Sequence, residues 1–390
     1  MLNTPFSPWP SFTQEEADAV SRVLLSNKVN YWTGQECREF EKEFATWSGA
    51  EHAITLANGT VALDLALKVI GIGPGDEVVV TSRTFLASAS CVAIAGATPV
   101  FADVDRDSQN ISAETIRAVL TPRTKAVICV HLAGWPCDMS PIMALAEEKG
   151  LYVIEDCAQA HGARYKGQSV GAIGHFGAWS FCQDKIMTTG GEGGMLTTNR
   201  RDWWEKAWSY KDHGKSWSAV YERLHPPGFR WLHESFGTNW RLTEMQAAIG
   251  RIQLRRMSVW HAARQRNAEA ILTVARTCPA LRVPEVPDVF EHAWYKCYVF
   301  IRPEMLRAGW SRDRIMEEIN SRGVPCYSGS CSEVYLEKAF DGTGWRPDER
   351  LPVAVELGET SLMFLVHPTL TDEEIAKTGR VLDEVMGEAS

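Results

Sequence analysis

Three stretches of this chain bring together residue types that do covalent and acid–base chemistry. The first is Leu56-Ala57-Asn58-Gly59-Thr60, set between a β-rich run and an Ala/Leu-rich helical one. Glycine lets the backbone close on a ligand, the free amides at a helix start attract an anion, and the Thr60 hydroxyl adds a donor. The same residues also read as a plain turn with Thr60 as helix cap. The second stretch is Val153-Ile154-Glu155-Asp156-Cys157-Ala158-Gln159-Ala160-His161-Gly162, where two carboxylates end an apolar strand. Burying a carboxylate is costly without a cation or donor, so at least one of the two is expected to be partly buried and partnered. A helix cap or a structural ion pair meets that need as well as a ligand does, and His161 reads as a structural histidine. The third stretch runs from Gly177 to Gly194 and carries Lys185 between an apolar β-like run and Gly190-Gly191-Glu192-Gly193-Gly194. A lysine desolvated in such surroundings has a lowered pKa, and its neutral amine is a nucleophile; an ordinary surface lysine is the alternative.

An anion cradle, an amine and a carboxylate are together what pyridoxal phosphate (PLP) requires: a hold on its phosphate, a lysine for the Schiff base and an acid beside the pyridine nitrogen. Other cofactor loops lose support. Gly71-Ile72-Gly73-Pro74-Gly75-Asp76 stops a helix and turns, but Asp76 occupies the last glycine position of GxGxxG, and no GxxxxGK[ST] occurs.

The elements that must position these groups follow from periodicity. Ala53 to Leu56, Glu77 to Val80, Lys125 to Val130 and Leu151 to Ile154 are short, nearly continuous apolar runs. Helical stretches at Val61 to Ile70, Phe85 to Ala95 and Ile142 to Lys149 alternate with them. That pattern predicts an α/β fold, a largely parallel sheet covered on both faces, with ligands at the strand ends. A long amphipathic helix is expected from about 241, with Leu242, Met245, Ile249 and Ile252 on one stripe and Thr243 to Gln246 as a capping box. Beyond it the pattern is α+β: a β-like Trp294 to Ile301, a helix Ser311 to Arg322, a β-like Ser361 to Val366 and a final helix after Thr371. The reading is a large domain with an N-terminal arm over 1–255 and a smaller C-terminal domain over 256–390.

Composition sets outer bounds. The 390 residues are 45% hydrophobic and 23% charged, ordinary for a folded globular chain. Forty Lys+Arg against 49 Asp+Glu give −9 overall, the opposite of what binders of bulk nucleic acid or anionic membrane carry. No apolar run reaches a membrane span, and Met1-Leu2-Asn3-Thr4-Pro5 lacks the start of a signal peptide, so a soluble cytoplasmic protein is expected. Ten cysteines without a CxxC pair fit buried free thiols, and Cys326 and Cys331 lack a second pair, so no metal site is expected.

Several motifs in combination carry a family resemblance from about residue 10 to the C-terminus. They are Gly59-Thr60 with Ala62-Leu63-Leu65-Ala66-Leu67, Gly73-Pro74-Gly75-Asp76-Glu77-Val78, and Gly96-Ala97-Thr98-Pro99-Val100-Phe101. Glu155 to Ala160, Ser180-Phe181 with Lys185, Gly191-Glu192-Gly193-Gly194 and Asn239-Trp240-Arg241 continue them. The chain resembles the DegT/DnrJ/EryC1/StrS sugar aminotransferases, PLP enzymes of fold type I with the aspartate aminotransferase architecture. The resemblance implies that Lys185 binds the cofactor and shuttles the proton between substrate carbon and cofactor. It implies Asp156 at the pyridine nitrogen, Gln159 at the phenolic oxygen, Phe85 on the ring face, and Gly59, Thr60 and Ser180 at the phosphate. Asn239 would reach the phosphate of a neighbouring subunit, requiring a homodimer with shared sites.

The implied reaction moves an amino group from L-glutamate to a nucleotide-linked keto-sugar, as in polysaccharide and O-antigen biosynthesis. The best match is C4 of a UDP-linked 4-keto-6-deoxy-N-acetylglucosamine, the bacillosamine-type route. C3 amination and dTDP- or GDP-sugars stay open, as do a PLP-dependent dehydratase, disfavoured by a lysine rather than histidine at 185, and a non-catalytic PLP-binding regulator. Candidate substrate contacts are Trp32, His213, Lys215, Trp217, Arg241 and Tyr327. Residues 201–240 hold six of the fifteen tryptophans, and the segment is either part of the nucleotide site or a packed flap. Two positions depart from the family pattern: Arg83, where a small or apolar residue is common, and the extra glycine in Gly190-Gly191.

Overall fold

The computed structural model describes residues 5–224 and 230–390. Met1 to Thr4, on which the expectation of no leader partly rests, and His225 to Phe229 of the Trp-rich segment lie outside the described residues. Among the described residues, fourteen strands and twelve α-helices follow one another. The strands are β1 (His52–Leu56), β2 (Glu77–Thr81), β3 (Thr98–Ala102), β4 (Thr124–Val130), β5 (Tyr152–Asp156), β6 (Arg164–Tyr165), β7 (Gln168–Ser169), β8 (Phe176–Ser180), β9 (Gly194–Thr198), β10 (Leu281–Arg282), β11 (Phe290–Glu291), β12 (Cys297–Ile301), β13 (Cys326–Tyr327) and β14 (Ser361–Phe364). The helices are α1 (Gln14–Leu25), α2 (Glu36–Ser48), α3 (Gly59–Val69), α4 (Ala87–Ile94), α5 (Ala113–Arg117), α6 (Met139–Lys149), α7 (Arg201–Lys211), α8 (Trp217–Tyr221), α9 (Glu244–Ala275), α10 (Arg312–Ser321), α11 (Pro352–Thr360) and α12 (Asp372–Ala389).

The main sheet has seven strands in the order β1-β9-β8-β5-β4-β2-β3. Strands β3, β2, β4, β5 and β8 run parallel, and β9 lies antiparallel between β8 and β1. Every residue of β2, β8 and β9 is buried, since helices cover both faces, and β2 and β8 accordingly read as apolar runs. The expected α/β class is therefore present, with one reversed strand. β9 escaped the sequence reading because Gly194-Met195-Leu196-Thr197-Thr198 is short and follows directly on a glycine-rich turn. A second sheet, β10-β12-β14-β13, is antiparallel and packs with α9, α10 and α12 around its own apolar cluster. A three-stranded ribbon, β11-β6-β7, completes the sheets.

Helix α9 ties the two sheets together. Its capping box at Thr243 and Gln246 is present as expected, and the helix runs for 32 residues. It packs against α1 and α2 on the large side and α12 on the small side, so its buried surface is wider than the single stripe in the sequence. Among the described residues, no helix is long and apolar enough to cross a membrane.

The parallel arrangement brings the C-terminal ends of β1, β2, β5 and β8 to one edge, where Gly59, Phe85, Asp156, Ser180 and Lys185 follow or end them. Close backbone approach underlies this edge. A Cβ on Gly177 in β8 would lie 2.5 Å from the Cα and carbonyl oxygen of Gly171 and would also strike the Thr197 hydroxyl. Gly177→Ala is expected to lower stability by about 1–3 kcal/mol, the cost typical of overpacking. Urea denaturation of the apoprotein checks this; an unchanged midpoint would show that the loop yields freely.

Candidate active site

A cavity of about 1220 Å³ opens where these strand ends face the second sheet, with Tyr298 and Met363 on its far wall. Its floor is Asp156. The side chain is almost wholly buried and accepts hydrogen bonds from Ser88 Oγ at 2.8 Å and from the Ala158 amide at 3.1 Å. No cation lies within ion-pair distance among the described residues. Burial pushes the carboxyl above its ordinary value, while Ser88, the Ala158 amide and, beyond ion-pair distance, the charge of Lys185 pull it back. A carboxylate so placed is short of a cationic N–H.

Its neighbour Glu155 is the contrast. Successive strand residues point to opposite faces, and Glu155 turns into a shell of donors: the amides of Gly171 at 2.9 Å, Ile173 at 2.9 Å and Gly174 at 2.6 Å, and His131 Nε2 at 3.0 Å. His131 Nδ1 in turn accepts from the Cys137 amide. His131, Glu155 and Cys157 are spaced closely enough to hold a metal ion, but the glutamate and histidine are already spent on the backbone and on each other. They brace the turn after β7.

The cradle forms at the start of α3. Asn58, not Thr60, caps the helix, its side chain accepting from the Val61 amide at 3.0 Å. That leaves the amides of Gly59 and Thr60 without a partner inside the helix. A Cβ on Gly59 would sit 2.6 Å from Ser180 Cβ, so glycine is what allows α3 to approach β8. Ser180 thereby stands beside the helix start, with its Oγ accepting only a 3.3 Å bond from the Cys182 amide.

Lys185 is half-buried, and its ammonium makes no hydrogen bond or ion pair with any described residue; it lies 5.3 Å from the centroid of the Tyr295 ring. Its backbone is pinned from both ends: the amide donates to Cys182 O, and the carbonyl accepts from Trp9 Nε1 at 2.8 Å. Gln159 is oriented by the Ala133 amide, which donates to Oε1 at 2.8 Å and leaves the Nε2 donor for a ligand. Phe85 lines the cavity while remaining 72% exposed, an aromatic face with nothing packed on it. These groups fit PLP: a cation-seeking carboxylate, an unengaged amine, a bare aromatic face and a cradle that a Cβ would fill.

Of the remaining candidates, Tyr327 lines the same cavity. Trp32, Lys215 and Arg241 instead converge on Asp212, which accepts from Trp32 Nε1 at 2.9 Å, Lys215 Nζ at 3.1 Å and Arg241 NH1 at 2.6 Å. Trp217 packs against Trp204 and Trp208, with centroids 4.7 and 5.0 Å away. Trp203, Trp204 and Trp208 are buried in the main core. His213 is exposed on the turn after α7, and its amide donates to Thr238 O. Asn239 pairs with Asp212 through the backbone and does not line this cavity. His161 is fully buried against Trp179 and Phe181, and burial pushes its pKa down to about 3, so it is neutral. Arg83 is buried and engages Gln109 and Ser361 behind the cavity wall.

Sequence reasoning missed Trp9, Ser88, Tyr295 and Lys296. Ser88 was legible only as the residue one turn beyond Thr84, which hydrogen-bonds it. Trp9 lies 176 positions from the lysine it pins and left no local signal.

The sequence profile of the DegT/DnrJ/EryC1/StrS aminotransferase family matches residues 10–383. The chain is 36% identical over 385 residues to UDP-N-acetyl-3-dehydro-alpha-D-glucosamine 3-aminotransferase of Acidithiobacillus ferrooxidans, covering 98% of this chain and 95% of that one. It is 37% identical over 382 residues to GDP-perosamine synthase of Caulobacter vibrioides, covering 97% of each. Among solved structures, an aminotransferase from Psychrobacter cryohalolentis is 65% identical and superposes with a TM-score of 0.97 over 98% of this chain and 99% of that one.

The geometry at Asp156 predicts opposite effects on stability and binding. Asp156→Asn removes an unpaired buried charge, so the apoprotein should gain about 1 kcal/mol at pH 8. The same variant should hold PLP at least tenfold more weakly, since a neutral amide no longer favours a protonated ring nitrogen. Denaturation of the apoprotein and a PLP titration check both halves; a variant that binds PLP normally would remove Asp156 from the site.

Proposed function

The chain belongs to the DegT/DnrJ/EryC1/StrS aminotransferase family, and on that premise we propose that it transfers an amino group from L-glutamate to C4 of a UDP-linked 4-keto-6-deoxy-N-acetylglucosamine. The coarser statement rests on the family and its relatives: this is a PLP-dependent aminotransferase acting on a nucleotide-linked sugar. The observation that carries the reading is the lysine at 185, unengaged above a buried carboxylate that lacks a cation.

PLP supplies an electron sink that stabilises the negative charge left when a substrate carbon loses its proton. The residues do the rest. With PLP bound, Asp156 would hold the ring nitrogen in its protonated form, Gln159 would donate to the phenolic oxygen, and the ring of Phe85 would cover one face. The amides of Gly59 and Thr60 with the Ser180 hydroxyl hold the phosphate at a helix start. Lys185 would be the base that takes the proton from the donor's α-carbon and the acid that gives one to the sugar carbon. Because the cavity lining includes no Asn239, His213, Lys215 or Arg241, we assign these to a second copy of the chain, presented across a homodimer interface from the Asp212 turn. Trp32 and Trp217 support that turn, and Tyr327 meets the sugar within the same subunit. Free cysteines, seven of them buried, support a cytoplasmic location.

Amination at C3 is the second reading, favoured by the Acidithiobacillus ferrooxidans relative. A panel of keto-sugar nucleotides separates them. The UDP-4-keto-6-deoxy sugar should exceed both its dTDP counterpart and a UDP-3-keto sugar at least tenfold in kcat/KM, and a preference for the 3-keto sugar would overturn the C4 assignment. Shared sites are tested by mixing two inactive variants, Lys185→Ala and Asn239→Ala. Activity should return in hybrids that neither parent shows, because one site then holds both native residues; no recovery would mean that Asn239 does not serve the neighbouring subunit's site.

A further inference from the structure

Six charged residues line the cavity: Asp156, Asp184, Glu192 and Glu337 against Lys185 and Lys296. A dicarboxylate entering such a wall is repelled unless a cation receives it. Lys185 is committed to the reaction, which leaves Lys296 as the other cationic group among the described lining residues.

Lys296 stands just before β12 on an anchored backbone. The Tyr295 and Lys296 amides both point at Ala133 O, at 2.9 and 3.5 Å, and the Ala293 amide donates to Gly134 O at 2.8 Å. The amide of Ala133 is the one that orients Gln159, so a single turn sets both residues. The Lys296 ammonium lies 4.7 Å from the centroid of the Tyr295 ring, the ring that also faces the Lys185 ammonium at 5.3 Å. It forms no hydrogen bond or ion pair with any described residue. Tyr295 meanwhile donates its hydroxyl to Asp184, so the nearest acid is engaged elsewhere. Burial pushes the Lys296 amine down to about 8, with Arg264 and Lys185 adding like-charge repulsion and Asp184 opposing them. Arg264 is itself buried, and among the described residues its guanidinium donates only to the backbone carbonyls of Trp294 and Tyr295. Among the described residues this wall therefore sets two lysine amines and a buried guanidinium against the single nearby carboxylate of Asp184.

Resting on the glutamate reading above, we propose that Lys296 binds the α-carboxylate of the amino donor. The α-carboxylate is favoured over the distal one because it is bonded to the carbon that Lys185 deprotonates, and both amines face one aromatic ring. The distal carboxylate lies three carbons further along the chain.

The test uses the PLP-loaded enzyme and two ligands that need not turn over. L-α-Methylglutamate keeps the α-carboxylate but has no α-proton to lose; 4-aminobutyrate keeps the amine and the distal carboxylate and lacks the α-carboxylate. Each is titrated against the visible absorbance band of wild type, Lys296→Met and Lys296→Arg. Lys296→Met should weaken α-methylglutamate roughly 10- to 100-fold, the span of a charged hydrogen bond, and leave 4-aminobutyrate unchanged. Lys296→Arg, which keeps the cation, should recover much of the loss. Equal weakening of both ligands, or no change in either, overturns the assignment. Failure of the wild type to respond to α-methylglutamate would instead bring down the glutamate reading, and the assignment with it.

Discussion

A carboxylate held in the core without a cation is the constraint on which the rest of this molecule depends. Asp156 ends a buried parallel strand and receives one hydroxyl and one amide, enough to fix its direction and too little to settle its charge. The adjacent Glu155 shows that the fold is able to satisfy such a group fully: three amides and a histidine close around it. One residue of the pair is thus used to brace the turn between β7 and β8, and the other is reserved. The stability given up at Asp156 is recovered when a positively charged ring nitrogen arrives, which couples cofactor binding to the folded state.

Everything around Asp156 is arranged so that the other contacts form at the same time. They come from four different strand ends, so a shift of any one strand would misplace part of the site. Gly59 permits the contact between α3 and β8, and Trp9 reaches from the N-terminal arm to clamp the carbonyl of Lys185. Helix α9 connects the wall that carries Asp156 to the wall that carries Lys296, Tyr298 and Met363. Gly59, Thr60, Asp156 and Ser180 sit on a helix start or a strand, while Phe85, Gln159, Lys185 and Lys296 sit on short turns that flank strands.

The parts of this site that were legible in the sequence are those whose signal is local. A carboxylate after an apolar strand, a lysine before a glycine-rich turn and a glycine at a helix start each carry their chemistry within a few residues. The α/β class was legible for the same reason, from short apolar runs alternating with helices. What was not legible depends on contacts between distant segments. The antiparallel placement of β9, the clamp from Trp9 and the role of Ser88 exist only once the sheet is assembled. Asn58 takes the capping role assigned to Thr60 because its side chain, two positions earlier, reaches the Val61 amide. The tryptophans of α7 read equally as stacking platforms or as core; the folded chain packs three of them beneath the main sheet. Aromatic composition alone does not separate these uses, since both need broad apolar faces.

The most direct measurement of the central claim is the visible absorbance of the purified, PLP-loaded protein before and after excess L-glutamate. The account predicts a yellow band that bleaches on adding glutamate in the native chain, and that is absent from Lys185→Ala under the same loading. A band that persists unchanged with glutamate would contradict the donor and the transfer chemistry. A native protein that never acquires a band would contradict the site itself.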